Sequence, residues 1–188
     1  MTDIVLFHHA QGLRQDVVDW ADLLRADGHR VWTPDLYDGT IFDNLEDGVA
    51  HRDSIGIPEL IRRAEAELDR LPGELVYAGF SMGASIAGYF AAIRAGTRAA
   101  VLMHGGGDPE DGWNVDVPLQ IHYAVGDPWV EREDINGFAD VVQAAGSSIQ
   151  VYTYPGNGHL FADPNGPAYN RESAELMLER ELEFLRGI

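Results

Sequence analysis

Cysteine and lysine are both absent from this chain of 188 residues. Without cysteine there is no disulfide framework and no thiolate metal site, so a nucleophilic catalyst would have to attack through oxygen or nitrogen. Cations are scarce as well: 13 arginines stand against 31 acidic residues, the formal net charge is -18, and the longest basic run is Arg62-Arg63. Phosphate backbones and anionic lipid surfaces need clustered cations, so neither a nucleic acid nor a membrane is an expected partner. Long apolar runs are missing too. Charges interrupt every one well short of the roughly 18 residues a membrane span requires. Met1-Thr2-Asp3 with the short run Ile4–Phe7 has neither the basic start nor the apolar stretch of a signal peptide. A cytoplasmic enzyme, monomeric or weakly dimeric, is the expectation. Internal repeats, low-complexity tracts and proline-rich linkers are likewise absent, which predicts a single domain over 1–188.

What the chain does have is a rhythm of short apolar segments and longer amphipathic ones. Ile4–Phe7, Arg30–Thr33, Leu75–Ala78, Ala99–Met103, Leu119–Val125 and Ile149–Tyr154 are short and rich in β-branched or aromatic residues, as buried strands are. Between them, Val17, Trp20, Ala21, Leu23 and Leu24 form an apolar helical face that stops at Gly28. Leu60, Ile61, Ala64, Leu68 and Leu71 form another that stops at Pro72-Gly73. Further helices are read after Ser81, over roughly 131–145, and from about Arg171 onward. Strands alternating with helices require crossover connections, which predicts an α/β fold: a doubly wound, mainly parallel sheet of about six strands flanked by helices. Tyr37 to Gly56 has no clear period and reads as a loop at the C-terminal edge of the sheet, where open α/β folds bind ligands.

Three segments carry chemistry. Gly79-Phe80-Ser81-Met82-Gly83 has the G-x-S-x-G pattern, follows a predicted strand and opens a predicted helix. That is the context in which a sharp turn lifts a serine hydroxyl to a helix N-terminus. A serine needs a base, and the base a carboxylate, in the chain order Ser, acid, His. Asp127, just past the fifth strand in Gly126-Asp127-Pro128-Trp129, and His159, just past the sixth in Pro155-Gly156-Asn157-Gly158-His159, stand in that order. Asp127 before Pro128 also fits a plain Asx-turn. An oxyanion hole needs two backbone donors: the Met82 N–H, and one from the loop after the first strand, for which Ala10 is the candidate.

Together, His8-His9-Ala10-Gln11-Gly12-Leu13, Thr33-Pro34-Asp35-Leu36-Tyr37, the serine turn, Gly126-Asp127 and the segment ending in His159 resemble the dienelactone hydrolase family. The resemblance implies a minimal α/β-hydrolase without a large cap, needing no cofactor and acting on small esters or lactones. The dienelactone-cleaving members carry a cysteine nucleophile where this chain has Ser81. They also carry arginines where it has Asp38 or Gly39, and Asp163, so an anionic substrate is not expected. His9 takes the place of the family's glutamate and is expected either to contact Ser81 or to line the pocket. Tyr37, Phe80, Trp129 and Phe161, with Trp113, are further pocket candidates. Arg52 is the one cation that could fold over the site from the 37–56 loop.

Other readings stand beside this one. An acyltransferase or thioesterase would use the same triad, whereas a ligand-binding relative without catalysis would be expected to lack one of its members. His104-Gly105-Gly106-Gly107 spells a lipase oxyanion motif, but it follows the fourth strand and reads as a plain loop. His8 and His9 leave a strand toward opposite faces, and no second pair has ligand spacing, so no metal site is expected. No glycine pattern for a nucleotide opens a helix after the first strand.

Overall fold

The computed structural model describes residues 1–188, the side chain of Pro109 excepted. Six strands form one sheet: β1 (Asp3–Phe7), β2 (Arg30–Trp32), β3 (Leu75–Phe80), β4 (Thr97–Met103), β5 (Leu119–Ala124) and β6 (Ile149–Tyr154). Their order is β2-β1-β3-β4-β5-β6, and every pairing is parallel. β3 is buried at all six positions, as a central parallel strand covered on both faces should be. It runs two residues beyond the predicted segment, so Gly79 and Phe80 end the strand and Ser81 follows it directly.

The helices are α1 (Gln15–Ala26), α2 (Leu45–Ile55), α3 (Ile57–Leu68), α4 (Met82–Ile93), α5 (Arg132–Ala144) and α6 (Arg171–Arg186), with a short 3-10 turn at Pro109–Asp111. From β1 the chain moves outward to β2, then returns past β1 to β3. Right-handed crossovers in opposite directions must place their helices on opposite faces. Accordingly Val17, Trp20, Ala21 and Leu24 of α1 pack with Ile4 and Leu6 on one face. Leu60, Ala64 and Leu68 of α3 pack with Val5 and Phe7 on the other. α6 joins α1 through Ala174, Met177 and Leu185, while α4 and α5 join α3. Each fully buried Leu or Phe contributes about 1.5–3 kcal/mol relative to leaving it in water.

The 37–56 segment is not wholly a loop. Residues 45–55 form α2, capped by Asn44, whose side-chain oxygen accepts the Asp47 N–H at 2.9 Å. The apolar period is missing there because Gly48 is the helix's one buried residue. A Cβ at that position would come within 2.4 Å of the Ala10 carbonyl oxygen, so the helix backbone rests directly on the loop after β1.

The reversal of direction between β1 and β3 makes a topological switch point, where open α/β sheets form a crevice at the carboxyl ends of the strands. Ser81 ends one side of that crevice and the loop carrying Ala10 ends the other. Among the described residues no helix is long and apolar enough to cross a membrane, and no further elements cover the crevice as a cap.

Candidate active site

Ser81 sits between β3 and α4 with φ 53 and ψ -113, a left-handed backbone that costs a non-glycine residue about 1–3 kcal/mol. Close packing on both sides holds it there. A Cβ on Gly79 would lie 2.1 Å from the Gly83 carbonyl oxygen, and one on Gly83 would lie 2.3 Å from that of Phe7. The turn therefore needs glycine at both places, which is the physical content of the pentapeptide pattern. The Ser81 N–H donates to the Met103 carbonyl at 2.8 Å, tying the turn to β4.

The loops after β5 and β6 are fastened to each other: the Val125 N–H donates to Tyr154 and the Gly126 N–H to Gly156, both at 2.9 Å. This brings Asp127 and His159 together from positions 32 residues apart. Asp127 Oδ1 accepts the Trp129 N–H at 2.9 Å, an Asx-turn, while Oδ2 faces His159 Nδ1 at 2.8 Å. One carboxylate thus makes both contacts. His159 Nε2 lies 2.8 Å from Ser81 Oγ. An ionised carboxylate only accepts, so Nδ1 carries the imidazole proton and Nε2 is left to accept the serine hydroxyl. The Asp127 side chain is fully buried and that of His159 nearly so. Ser81 remains partly exposed, reachable from outside.

At the end of β1, the His8 and His9 rings diverge, as strand alternation predicts. His8 Nδ1 lies 2.7 Å from the His9 carbonyl, and Nε2 accepts the Leu36 N–H at 3.1 Å. Burial pushes His8 down to about 4, so it is neutral near pH 7. His9 bonds Asp16 in the first turn of α1 at 2.9 Å and accepts the Gln11 N–H at 3.2 Å. That bond holds the Asp16 carboxyl below its usual range, against the opposing effect of burial. His9 is therefore hydrogen-bonded to α1 and to its own loop, and it is fully buried. Among the described residues, the Ala10 and Met82 amides make no hydrogen bond.

The pocket candidates scatter. Phe80 packs edge-on against Trp20 at 5.6 Å, and Phe161 against His104 at 4.4 Å, both inside the α1/α6 core. Alternation explains Phe80, which shares a face with Val76 and Ala78. Tyr37 is buried in the opposite core with its hydroxyl donating to Met82 Sδ at 3.3 Å. Trp113 packs on Phe138 there at 5.4 Å. Trp129 alone is half exposed, its ring 5.9 Å from that of His159, at the rim. The His104 ring lies 6.1 Å from that of His159, fully buried with no partner for either nitrogen among the described residues. Burial and the nearby His159 keep it well below its ordinary range, hence neutral.

Arg14, Arg52 and Arg63 each lie within ion-pair distance of a carboxylate. Arg14, which sequence reading overlooked, donates to the Phe42 carbonyl at 2.8 Å and lies 3.7 Å from Asp16 and 3.8 Å from Asp163. Arg52 pairs with Asp53 at 2.7 Å, and Arg63 with Asp38 and Glu59 at 3.1 Å. Among the described residues no group of three or more histidines and carboxylates is placed to hold a metal ion.

This arrangement can be set beside known proteins. The profile of the dienelactone hydrolase family matches residues 1–188. The chain belongs to the dienelactone hydrolase family. Membership places it among hydrolases that act on ester bonds. No curated protein matches its sequence. Among solved structures it is similar to a dienelactone hydrolase-like promiscuous phosphotriesterase from metagenomic libraries, with 21% identity, TM-score 0.82, and 100% of this chain and 86% of that one covered. A phospholipase/carboxylesterase from Dyadobacter fermentans shares 17% identity, with TM-score 0.65, 95% of this chain and 88% of that one covered. An α/β hydrolase from a Medee basin deep-sea metagenome library gives 13% identity, TM-score 0.69, and coverage of 98% and 83%. At these identities the likeness speaks to the fold, a six-stranded parallel α/β-hydrolase sheet without a cap.

Proposed function

We propose that this member of the family is a serine hydrolase that cleaves small, uncharged carboxylic esters or lactones through an acyl-enzyme. The observation that carries the reading is the continuous relay from Ser81 Oγ to His159 Nε2 and from His159 Nδ1 to Asp127 Oδ2, each step 2.8 Å. Ser81 Oγ attacks the ester carbonyl carbon as its proton passes to His159 Nε2. The carbonyl oxygen becomes an oxyanion facing the Ala10 and Met82 amides. Collapse of this intermediate breaks the carbon–oxygen bond to the alcohol, which leaves with the proton from His159. In a lactone the alcohol stays tethered to the acyl group. Water then attacks the acyl-enzyme, giving a proton to His159, which returns it to Ser81 as the acid departs. Asp127 holds the ring in the required tautomer and stabilises the imidazolium.

The preference for an uncharged substrate is supported by the engagement of Arg14, Arg52 and Arg63 with carboxylates, which leaves none of them to meet an anion. The overall charge of -18 acts in the same direction. Turnover of short-chain p-nitrophenyl esters and simple lactones by wild type and Ser81→Ala tests the reading. Loss of several orders of magnitude in kcat is expected. Equal rates for the two proteins would overturn it.

A further inference from the structure

Two consecutive histidines, neither in the relay, grip the peptide planes on either side of Ala10. Both are fully buried, where a phenylalanine would fill the space without the cost of desolvating two polar nitrogens. What they bond is backbone. A carbonyl oxygen can only accept and an amide can only donate, so the His8 contacts fix its protonation: Nδ1–H donates to the His9 carbonyl at 2.7 Å, and bare Nε2 accepts the Leu36 N–H at 3.1 Å. The same His9 carbonyl accepts the Gly12 N–H at 3.1 Å. His9 Nδ1 accepts the Gln11 N–H at 3.2 Å, and its Nε2–H donates to Asp16.

The His9–Ala10 peptide owns both the carbonyl that His8 holds and the Ala10 N–H. The bond is trans, so the N–H points away from the side to which the carbonyl is tied. That tied side is the side of Leu36, which follows β2. Ser81 follows β3, which lies on the other side of β1. The next peptide is clasped by His9, and Gly48 of α2 lies against its carbonyl, so the remaining freedom is a flip of the His9–Ala10 plane. The His8 bond opposes that flip.

We propose that His8 is a positioning residue for the oxyanion hole: by holding the His9 carbonyl it fixes the Ala10 N–H toward the oxygen that becomes negative when Ser81 attacks. The inference rests on the serine-hydrolase reading given above. Oxyanion donors act chiefly on the transition state, so a misdirected donor lowers kcat and leaves ground-state binding nearly intact.

Two substitutions separate the two bonds. His8→Asn keeps an amide donor where Nδ1 stands and loses the acceptor for Leu36. His8→Gln keeps an acceptor near Nε2 and loses the donor to the His9 carbonyl. The proposal expects His8→Gln to lower kcat by about 10- to 100-fold with KM within about threefold. Affinity for a boronic acid, whose adduct with Ser81 mimics the tetrahedral intermediate, should fall by a similar factor. His8→Asn should retain most of both. Equal losses in the two variants, or a loss confined to KM, would overturn it. Nitrogen-15 spectra of the wild-type imidazoles need no variant to fold: His8 should carry its proton on Nδ1, and a proton on Nε2 would overturn the proposal. If wild type neither turns over esters nor binds the boronic acid at Ser81, the serine-hydrolase reading fails and this inference with it. An active wild type with an unimpaired His8→Gln variant overturns this inference alone.

Discussion

Gly83, in the first turn of α4, stands against the backbone of Phe7 so closely that a Cβ would lie 2.3 Å from the Phe7 carbonyl oxygen and 2.7 Å from that of His8. The helix behind Ser81 is thereby docked on the strand that leads to the loop carrying Ala10. Ala at this position has no side chain to bend away, so the two backbones must separate. Gly83→Ala is expected to cost about 2–4 kcal/mol of stability and to reduce ester turnover by more than about 100-fold. Gly73→Ala, where nothing lies within 4 Å, should leave both unchanged. Thermal unfolding and kcat of the two variants check this.

Glu181 of α6 is fully buried, with Oε2 accepting the Trp20 indole N–H at 2.8 Å and Oε1 unpartnered among the described residues. Burial pushes its carboxyl up from 4.5 to about 7. The folded protein therefore keeps a proton that the unfolded chain gives up. Its contribution is fully present below about 4.5 and is lost as pH rises to about 7, at roughly 1.4 kcal/mol per pH unit. Glu181→Gln keeps an acceptor for Trp20 and cannot ionise. Its Tm should exceed that of wild type by several degrees at pH 8 and differ little at pH 4.5. A constant difference across that range would contradict the assignment.

Arg52 was the cation best placed in the sequence to reach the site. In the fold its partly buried side chain is bound to Asp53, its neighbour on α2. A neutral short-chain ester should therefore have a higher kcat/KM than its carboxylate analogue at low salt. The gap should narrow as salt screens the protein's negative field over roughly 8–10 Å. Arg52→Ala should leave the preference unaltered. A carboxylate preference that disappears in this variant would assign Arg52 a role in binding.

The residues of the relay were legible because each follows a strand with its own signature, and strand ends converge in a parallel sheet. The limits lay where periodicity is silent. α2 has no apolar stripe to announce it, being buried only at Gly48. Phe80 was expected in a pocket, although the alternation of Val76, Ala78 and Phe80 already pointed it into the α1/α6 core. Phe161 lies in a loop, which offers no such rule. His8 and His9 were readable as diverging from the strand, but their partners, Leu36 and Asp16, come from other elements and become neighbours only on folding. Arg14 was passed over because its engagement with Asp163 spans nearly the whole chain.

The central claim is that Ser81, activated by His159, forms the covalent intermediate, and the most direct measurement is mass spectrometry of the protein after exposure to a fluorophosphonate. The account predicts a single adduct on the peptide bearing Ser81, absent in Ser81→Ala and slowed by several orders of magnitude in His159→Ala. An adduct on another residue, or full labelling of Ser81→Ala, would contradict it.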